Sequence, residues 1–352
     1  MIKGYVQSIK RRKTYPFIND TGILTVIVGR FLRLFSKQMM KAILLLAFGG
    51  PRSLDEVEPF LTRLFRGRKP SSEQLERVKE RYGLIGGYSP LPEITFKQAK
   101  ALENSLNAKG YPFKSYVGMR YGHPLIEETL KKILEDGIHE VIAVPMAPFR
   151  SRASTGAYIE EVNQLRENIG GGIELSFVEG WHLHPIFIEA IQEKIEEGLM
   201  QFTSEERKKV HLIFSAHSLP KSLVGNEPYV EDMEESVREV LRKGEPFPWH
   251  IAFQSRGMGP EEWLGPGVES VLEELSKKKI REVLIVPIGF VSDHIEILYD
   301  IDILYRNKAK SLGMQLKRTP SLNFSKRFIE ALAVIVEEHM INSSESGVGS
   351  SE

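Results

Sequence analysis

KIREVLIVPIGFVSDHIEILYD (Lys279–Asp300) runs from a charged helix end through the apolar segment Val283–Pro287 into a loop and a helix start carrying Asp293, His294 and Glu296. A short aliphatic run without polar alternation is the pattern of a strand buried on both faces, which belongs to a parallel sheet covered by helices. The same order of elements appears earlier in GIHEVIAVPMAPFRSRASTGAY (Gly137–Tyr158), which aligns with it without a gap. AILLLAFGGP (Ala42–Pro51) likewise parallels HLIFSAHSLP (His211–Pro220), so two similar halves are the economical explanation. In that alignment Phe48 stands opposite His217 and Ser154 opposite Glu296. The ionisable pair therefore belongs to the second half alone. Ligands of open α/β sheets bind just beyond the carboxyl ends of the strands, and His217 and the Asp293–Glu296 segment both follow such ends.

Other strand-like runs are Tyr116–Met119, Val141–Pro145, Leu175–Val178, Leu212–Ser215 and Ile251–Gln254, besides Ala42–Phe48. Helical patterns lie between them, at Pro124–Asp136, Phe187–Met200, Val230–Arg242 and Gly267–Lys278. This alternation predicts an α/β fold with parallel sheets and right-handed crossovers. With 352 residues the chain can bury a substantial core.

Composition narrows the chemistry. The chain has no cysteine, so disulfides, thiolate zinc sites and cysteine-ligated iron–sulfur clusters are ruled out, and the composition is compatible with a reducing cytoplasm. Formal charge is zero and the body of the chain has no long basic stripe, which argues against nucleic acid as a partner. Basic side chains gather instead in residues 1–40, where Lys3, Lys10, Arg11, Arg12, Lys13, Arg30, Arg33 and Lys37 face Asp20 alone. The apolar run Thr21–Val28 is shorter than the roughly 20 residues that span a bilayer, and no small-residue cleavage site follows it. A basic membrane-surface segment and an upstream extension before Met39 and Met40 are the two readings of this stretch. The final NSSESGVGSSE (Asn342–Glu352) has the composition of a disordered tail.

The combination of LLLAFGGP (Leu44–Pro51), RYGLIGGYSPL (Arg81–Leu91), FSAHSLP (Phe214–Pro220), QSRGMGPEEWLGP (Gln254–Pro266) and VSDHIEILYDID (Val291–Asp302) resembles the ferrochelatases. These are lyases of haem and porphyrin biosynthesis that insert ferrous iron into a porphyrin, and the likeness runs in order from about Lys41 to about Ile341. The resemblance implies two similar Rossmann-like, chelatase-type domains with the active site in the cleft between them. The chain then divides into a basic extension (1–40), a first lobe with a porphyrin-binding lip (41–190), a second lobe with the catalytic residues (191–322), a C-terminal helix (323–341) and a tail (342–352). It implies that His217 and Glu296 are the catalytic, metal-binding pair, and that porphyrin contacts fall on Phe48, Arg66, Arg81, Tyr82, Ser89 and Tyr158, with Arg120 and Tyr121 as further candidates. On this reading porphyrin and Fe²⁺ are the substrates, no cofactor is permanently bound, and peripheral membrane contact is a further expectation.

The residue chemistry stands beside that resemblance. Metal insertion needs two pyrrole protons removed while a partly dehydrated ion is held nearby, and imidazole titrates near neutrality and also binds divalent metals. Asp293, Glu296 and Asp300 fall on one face of an α-helix, a candidate path for the metal, whereas His294 and Glu296 diverge. Leu304 stands where some relatives carry a further carboxylate. Arg66, Arg81 and the amides around Gly86 and Gly87 suit the carboxylates of a porphyrin. The compact RGRKP lip resembles the coproporphyrin branch, whereas Phe48 and the spelling of VSDHIEILYDID resemble the protoporphyrin branch; both porphyrins stay open, with protoporphyrin slightly favoured. Two other readings are a cobalt or nickel tetrapyrrole chelatase and a haem or tetrapyrrole carrier without catalysis.

Overall fold

The computed structural model describes residues 40–242, 246–257 and 261–346. The basic extension lies outside them apart from Met40, as do residues 347–352 of the expected tail. Strands β1 (Lys41–Ala47), β2 (Phe113–Met119), β3 (Glu140–Pro145) and β4 (Glu174–Phe177) form a parallel sheet in the order β2-β1-β3-β4. Strands β5 (His211–His217), β6 (Trp249–Gln254), β7 (Glu282–Val286) and β8 (Gln315–Arg318) form a second parallel sheet in the order β6-β5-β7-β8. One topology occurring twice is the architecture expected of two similar halves. The β1 sequence AILLLA and the β7 sequence VLIV are buried throughout, as strands covered on both faces must be. Strand β8 has no counterpart among the predicted strands: it lies at the sheet edge, buries only Leu316, and its polar remainder reads as loop.

Nine helices of eight residues or more are described: α1 (Val57–Leu64), α2 (Ser72–Leu84), α3 (Leu91–Ala108), α4 (Ile126–Glu135), α5 (Ala157–Asn168), α6 (Pro185–Leu199), α7 (Tyr229–Arg242), α8 (Val268–Lys277) and α9 (Lys326–Ser346). Helix α2, which carries Arg81 and Tyr82, starts with a capping box: Ser71 Oγ accepts from the Gln74 amide and Gln74 Oε1 from the Ser71 amide. Two π-helical segments, Arg152–Gly156 and Glu296–Tyr305, occupy the same place in the two aligned halves.

The two sheets share one core. A single apolar cluster joins Leu45 and Val144 of the first sheet to Leu212, Phe214 and Val286 of the second, with Phe187 on α6 and Phe328 on α9 fully buried within it. Burying such a side chain contributes about 2–3 kcal/mol. Helix α6 runs through the expected lobe boundary at residues 190 and 191, so the chain crosses between sheets on a packed helix rather than a linker. Helix α9 packs back on α3 and α6. It also runs through Ser346, past the expected end at Ile341, because no glycine or proline interrupts it before Gly347. Among the described residues no helix is long and apolar enough to cross a membrane.

Candidate active site

In each sheet the chain winds outward in both directions from the first strand, β1 or β5, so a crevice opens at the carboxyl ends beside those strands. His217 is the last residue of β5. The turn after β7 lies directly against that end: the Gly289 amide donates to Ser215 O at 3.1 Å, and a Cβ on Gly289 would stand 2.6 Å from Ala216 Cβ. Only glycine permits this approach, and it delivers the chain to Glu296, the first residue of the long π segment. His217 Nδ1 and Glu296 Oε2 thereby meet at 2.9 Å from positions 79 residues apart.

Their charges are coupled. Burial works against the imidazolium, yet the neighbouring Glu296 carboxylate overrides it and raises His217 above the ordinary imidazole value. Burial likewise works against the Glu296 carboxylate, and His217 overrides it and holds Glu296 below the ordinary range. An ionised Glu296 can only accept, so Nδ1 of His217 carries the proton and Nε2 is the atom left to accept one from a ligand.

Two further groups fix this pair, and a third holds Asp300 on the same segment. The Tyr229 hydroxyl donates to His217 O at 3.0 Å, and the Gln254 side-chain amide donates to Glu296 O at 2.9 Å. Ser255 adopts a left-handed backbone conformation (φ 60°) and donates its hydroxyl to Asp300 Oδ2 at 2.5 Å. Burial pushes Asp300 up to about 6 despite that hydrogen bond.

Most of the sequence-predicted residues converge here. Phe48, Arg81, Tyr82, Ser89, Tyr158, Asp300 and Arg120 all line one cleft of about 1230 Å³ together with His217 and Glu296. Arg66 does not: it sits exposed in the turn after α1, outside the cleft walls. Asp293 also turns away, because Ser321 and Asn323 donate to its carboxylate at 2.7 and 2.8 Å and Arg318 lies 3.3 Å off. His294 was expected to diverge from Glu296, but the helix begins only at Ile295, so helical spacing does not apply across the two. His294 Nδ1 donates to Ser292 O at 3.0 Å and Nε2 lies 4.0 Å from Glu296 Oε2; burial keeps the ring neutral, so Nε2 is a bare lone pair at the cleft wall. Gln254, Ser255 and Tyr229 were also missed as site residues; the register placing Gln254 opposite His217 is the signal that a strand-pairing argument would use.

The wall facing the ionisable pair is aromatic. Phe48 leaves 43% of its surface exposed, with Tyr121 and Phe60 behind it at ring-centroid distances of 4.7 and 6.2 Å. Arg120 lies 5.5 Å from the Tyr158 ring centroid and is held by Glu161 at 2.7 Å, and Arg81 lies 4.8 Å from the Tyr299 ring centroid. A broad apolar slot flanked by guanidinium groups, with an imidazole, a carboxylate and a second neutral imidazole at its base, can bind a flat anionic ligand and hold a divalent cation at that base.

Two sheets of this topology flanked by helices make a chelatase-type fold. The fold matches SirB of Bacillus subtilis, solved with Fe³⁺, at a TM-score of 0.55 and 14% identity over 87% of this chain and 98% of that one. It also matches the cobalt complex of the sirohydrochlorin chelatase SirB of Bacillus subtilis subspecies spizizenii, at a TM-score of 0.51 and 12% identity over 85% and 95%. Within that class the chain belongs to the ferrochelatase family, whose profile matches residues 40–340. It is 42% identical to a ferrochelatase of Geotalea uraniireducens over 84% of this chain and 97% of that protein, and 38% identical to one of Deinococcus radiodurans over 86% and 96%. A coproporphyrin III ferrochelatase of Oceanobacillus iheyensis is 38% identical over 84% and 95%.

Proposed function

We propose that this protein inserts ferrous iron into a porphyrin in haem synthesis. The observation that carries the proposal is the His217–Glu296 pair at 2.9 Å on the floor of an aromatic-walled cleft. The reaction replaces two pyrrole N–H protons with one Fe²⁺, so it needs a proton acceptor and a place for the ion on one side of the ring. Neutral His217 accepts through Nε2 while Glu296 holds Nδ1–H, which orients the ring and stabilises the imidazolium that forms. His294 Nε2 is a ligand for the incoming ion, and Asp300, raised by burial to about 6, offers the next stop for a proton leaving the pair. Arg81 and Arg120 face the anionic side chains of the macrocycle and Phe48 packs on its plane. Iron is a substrate here, no resident cofactor is invoked, and the cysteine-free composition suits catalysis in the cytoplasm. A carrier of finished haem would have no use for a proton acceptor oriented by a carboxylate.

Anaerobic incubation with Fe²⁺ and either protoporphyrin IX or coproporphyrin III, followed by the change in porphyrin absorption, tests the activity and decides the porphyrin. His217→Ala and Glu296→Gln should each still bind porphyrin while insertion falls by about 10²–10⁴-fold. Full activity in both variants would overturn the assignment.

A further inference from the structure

The turn Trp181–Leu183, which follows β4, and the first turns of α7 bring His182, Asp232 and Glu235 together. His182 is 4% exposed and Asp232 1% exposed, yet neither ring nitrogen of His182 has a hydrogen-bond partner. Buried imidazoles are almost always satisfied, so the unpartnered Nε2, the nitrogen facing the carboxylates, asks for a ligand. His182 Nε2 is aimed at two carboxylates, 3.4 Å from Asp232 Oδ1 and 3.8 Å from Glu235 Oε2. Ligands about 2.0–2.2 Å from a tetrahedral ion stand roughly 3.4 Å apart; the His182–Asp232 separation matches this, and all three ligand atoms lie within 4.8 Å of one another.

The surroundings are those of a built site. Arg150 donates to both Asp232 oxygens, at 2.6 Å from its terminal nitrogen and 3.0 Å from Nε, and its amide adds a third bond at 3.0 Å. A hydrogen-bonded carboxylate of this kind keeps its orientation when it ligates. The Ser236 hydroxyl sits against both His182 O at 3.1 Å and Asp232 O at 2.9 Å, joining the turn to the helix. Burial keeps His182 in the neutral form that metals require. Glu235 is half exposed, which gives an ion a way in and leaves room for water. Asp232, Glu235 and nearby Glu179 together match a divalent ion plus Arg150 in charge.

We propose that His182, Asp232 and Glu235 form a second cation site, separate from the cleft, for a divalent first-row transition ion of the Zn²⁺ class with an open coordination position. Helix α7 begins with Tyr229, whose hydroxyl holds the His217 carbonyl, so the ion ties a turn of the first lobe to the helix that braces the cleft base.

The site does not depend on the chelatase reading and is tested without it. The full-length chain carrying His217→Ala and Glu296→Gln, which removes the cleft pair, is titrated with Zn²⁺ alone against a chromophoric chelator. It should hold one equivalent and unfold at higher temperature with Zn²⁺ than without. Adding Glu235→Gln, at a half-exposed position that the fold tolerates, should weaken binding by at least about tenfold, and His182→Gln should do the same. No Zn²⁺ bound by the double variant, or an affinity unchanged by Glu235→Gln, overturns the site.

Discussion

His217 has a consequence for pH that its neighbour sets. Glu296 raises it above the ordinary 6.5, so the neutral form that accepts a proton appears only at higher pH. The acid limb of kcat/KM for metal insertion should therefore lie above 6.5, and Glu296→Gln, which removes the raising charge, should move the limb of its residual activity to lower pH. An unshifted limb in that variant would show that the coupling is absent. The linked effect on stability has a definite sign: the His217 part is present below 6.5 and fades as pH rises through its raised value, and the Glu296 part is present above 4.5 and fades as pH falls. The pair thus stabilises the fold most between those limits. His217 was legible as an ionisable residue at the end of an apolar run, a position that exposes a side chain to the sheet's crevice, and its pairing with Glu296 was legible through the resemblance carried by FSAHSLP and VSDHIEILYDID. His294, Ser255 and Tyr229 were not, since their roles depend on a helix that starts one residue later than spacing rules assume, on a left-handed φ, and on a hydroxyl arriving from another element.

The elements behind these residues were read more completely. Buried parallel strands such as β1, β3, β5 and β7 announce themselves as aliphatic runs, and edge strand β4 keeps Leu175 and Phe177 in alternation, whereas edge strand β8 reads QLKR with one apolar residue and no such signal. The π character of Glu296–Tyr305 was not legible either, because an extra residue per turn leaves no mark in an apolar pattern built for α-helices. That segment makes Asp300 testable. Its carboxylate is raised from 3.8 to about 6, so the folded state prefers the protonated form, and stability is lost as pH rises between those values. Asp300→Asn keeps the acceptor for Ser255 and removes the buried charge, so it should stabilise the protein at pH 7 by about 2–3 kcal/mol and by little at pH 4, measured by denaturant unfolding. An equal effect at both pH values would refute the burial argument. Gly289→Ala should act in the opposite sense: a Cβ 2.6 Å from Ala216 must push the end of β5, costing about 1–3 kcal/mol and displacing His217. Porphyrin insertion should fall in this variant even at temperatures where it remains folded.

At the scale of the whole molecule, the internal repeat foretold two sheets of one topology but not how firmly they are joined. Sequence offered a boundary near residue 190, and the chain instead places a buried helix there. The reason is physical: the apolar face of α6 serves both sheets and α9, so the repeat units share a core that a comparison of the two halves cannot reveal. Gln98 of α3 adds a polar tie, its amide donating to Ser292 Oγ at 2.9 Å and Asn323 O at 2.7 Å across the halves. Unfolding should accordingly be one transition for residues 40–346 rather than two. Phe187 is the sharpest probe, because its fully buried ring meets Trp181 of the first half edge-on at 4.9 Å and Phe328 of α9 at 6.3 Å. Phe187→Ala removes contacts from both sides of the seam and should cost about 3–5 kcal/mol. If the core is shared, Trp fluorescence and far-ultraviolet circular dichroism should shift together to a lower denaturant midpoint with a single transition. A variant in which one probe moves and the other stays would show that the two sheets unfold independently, and that the cleft between them is held by its loops rather than by this core.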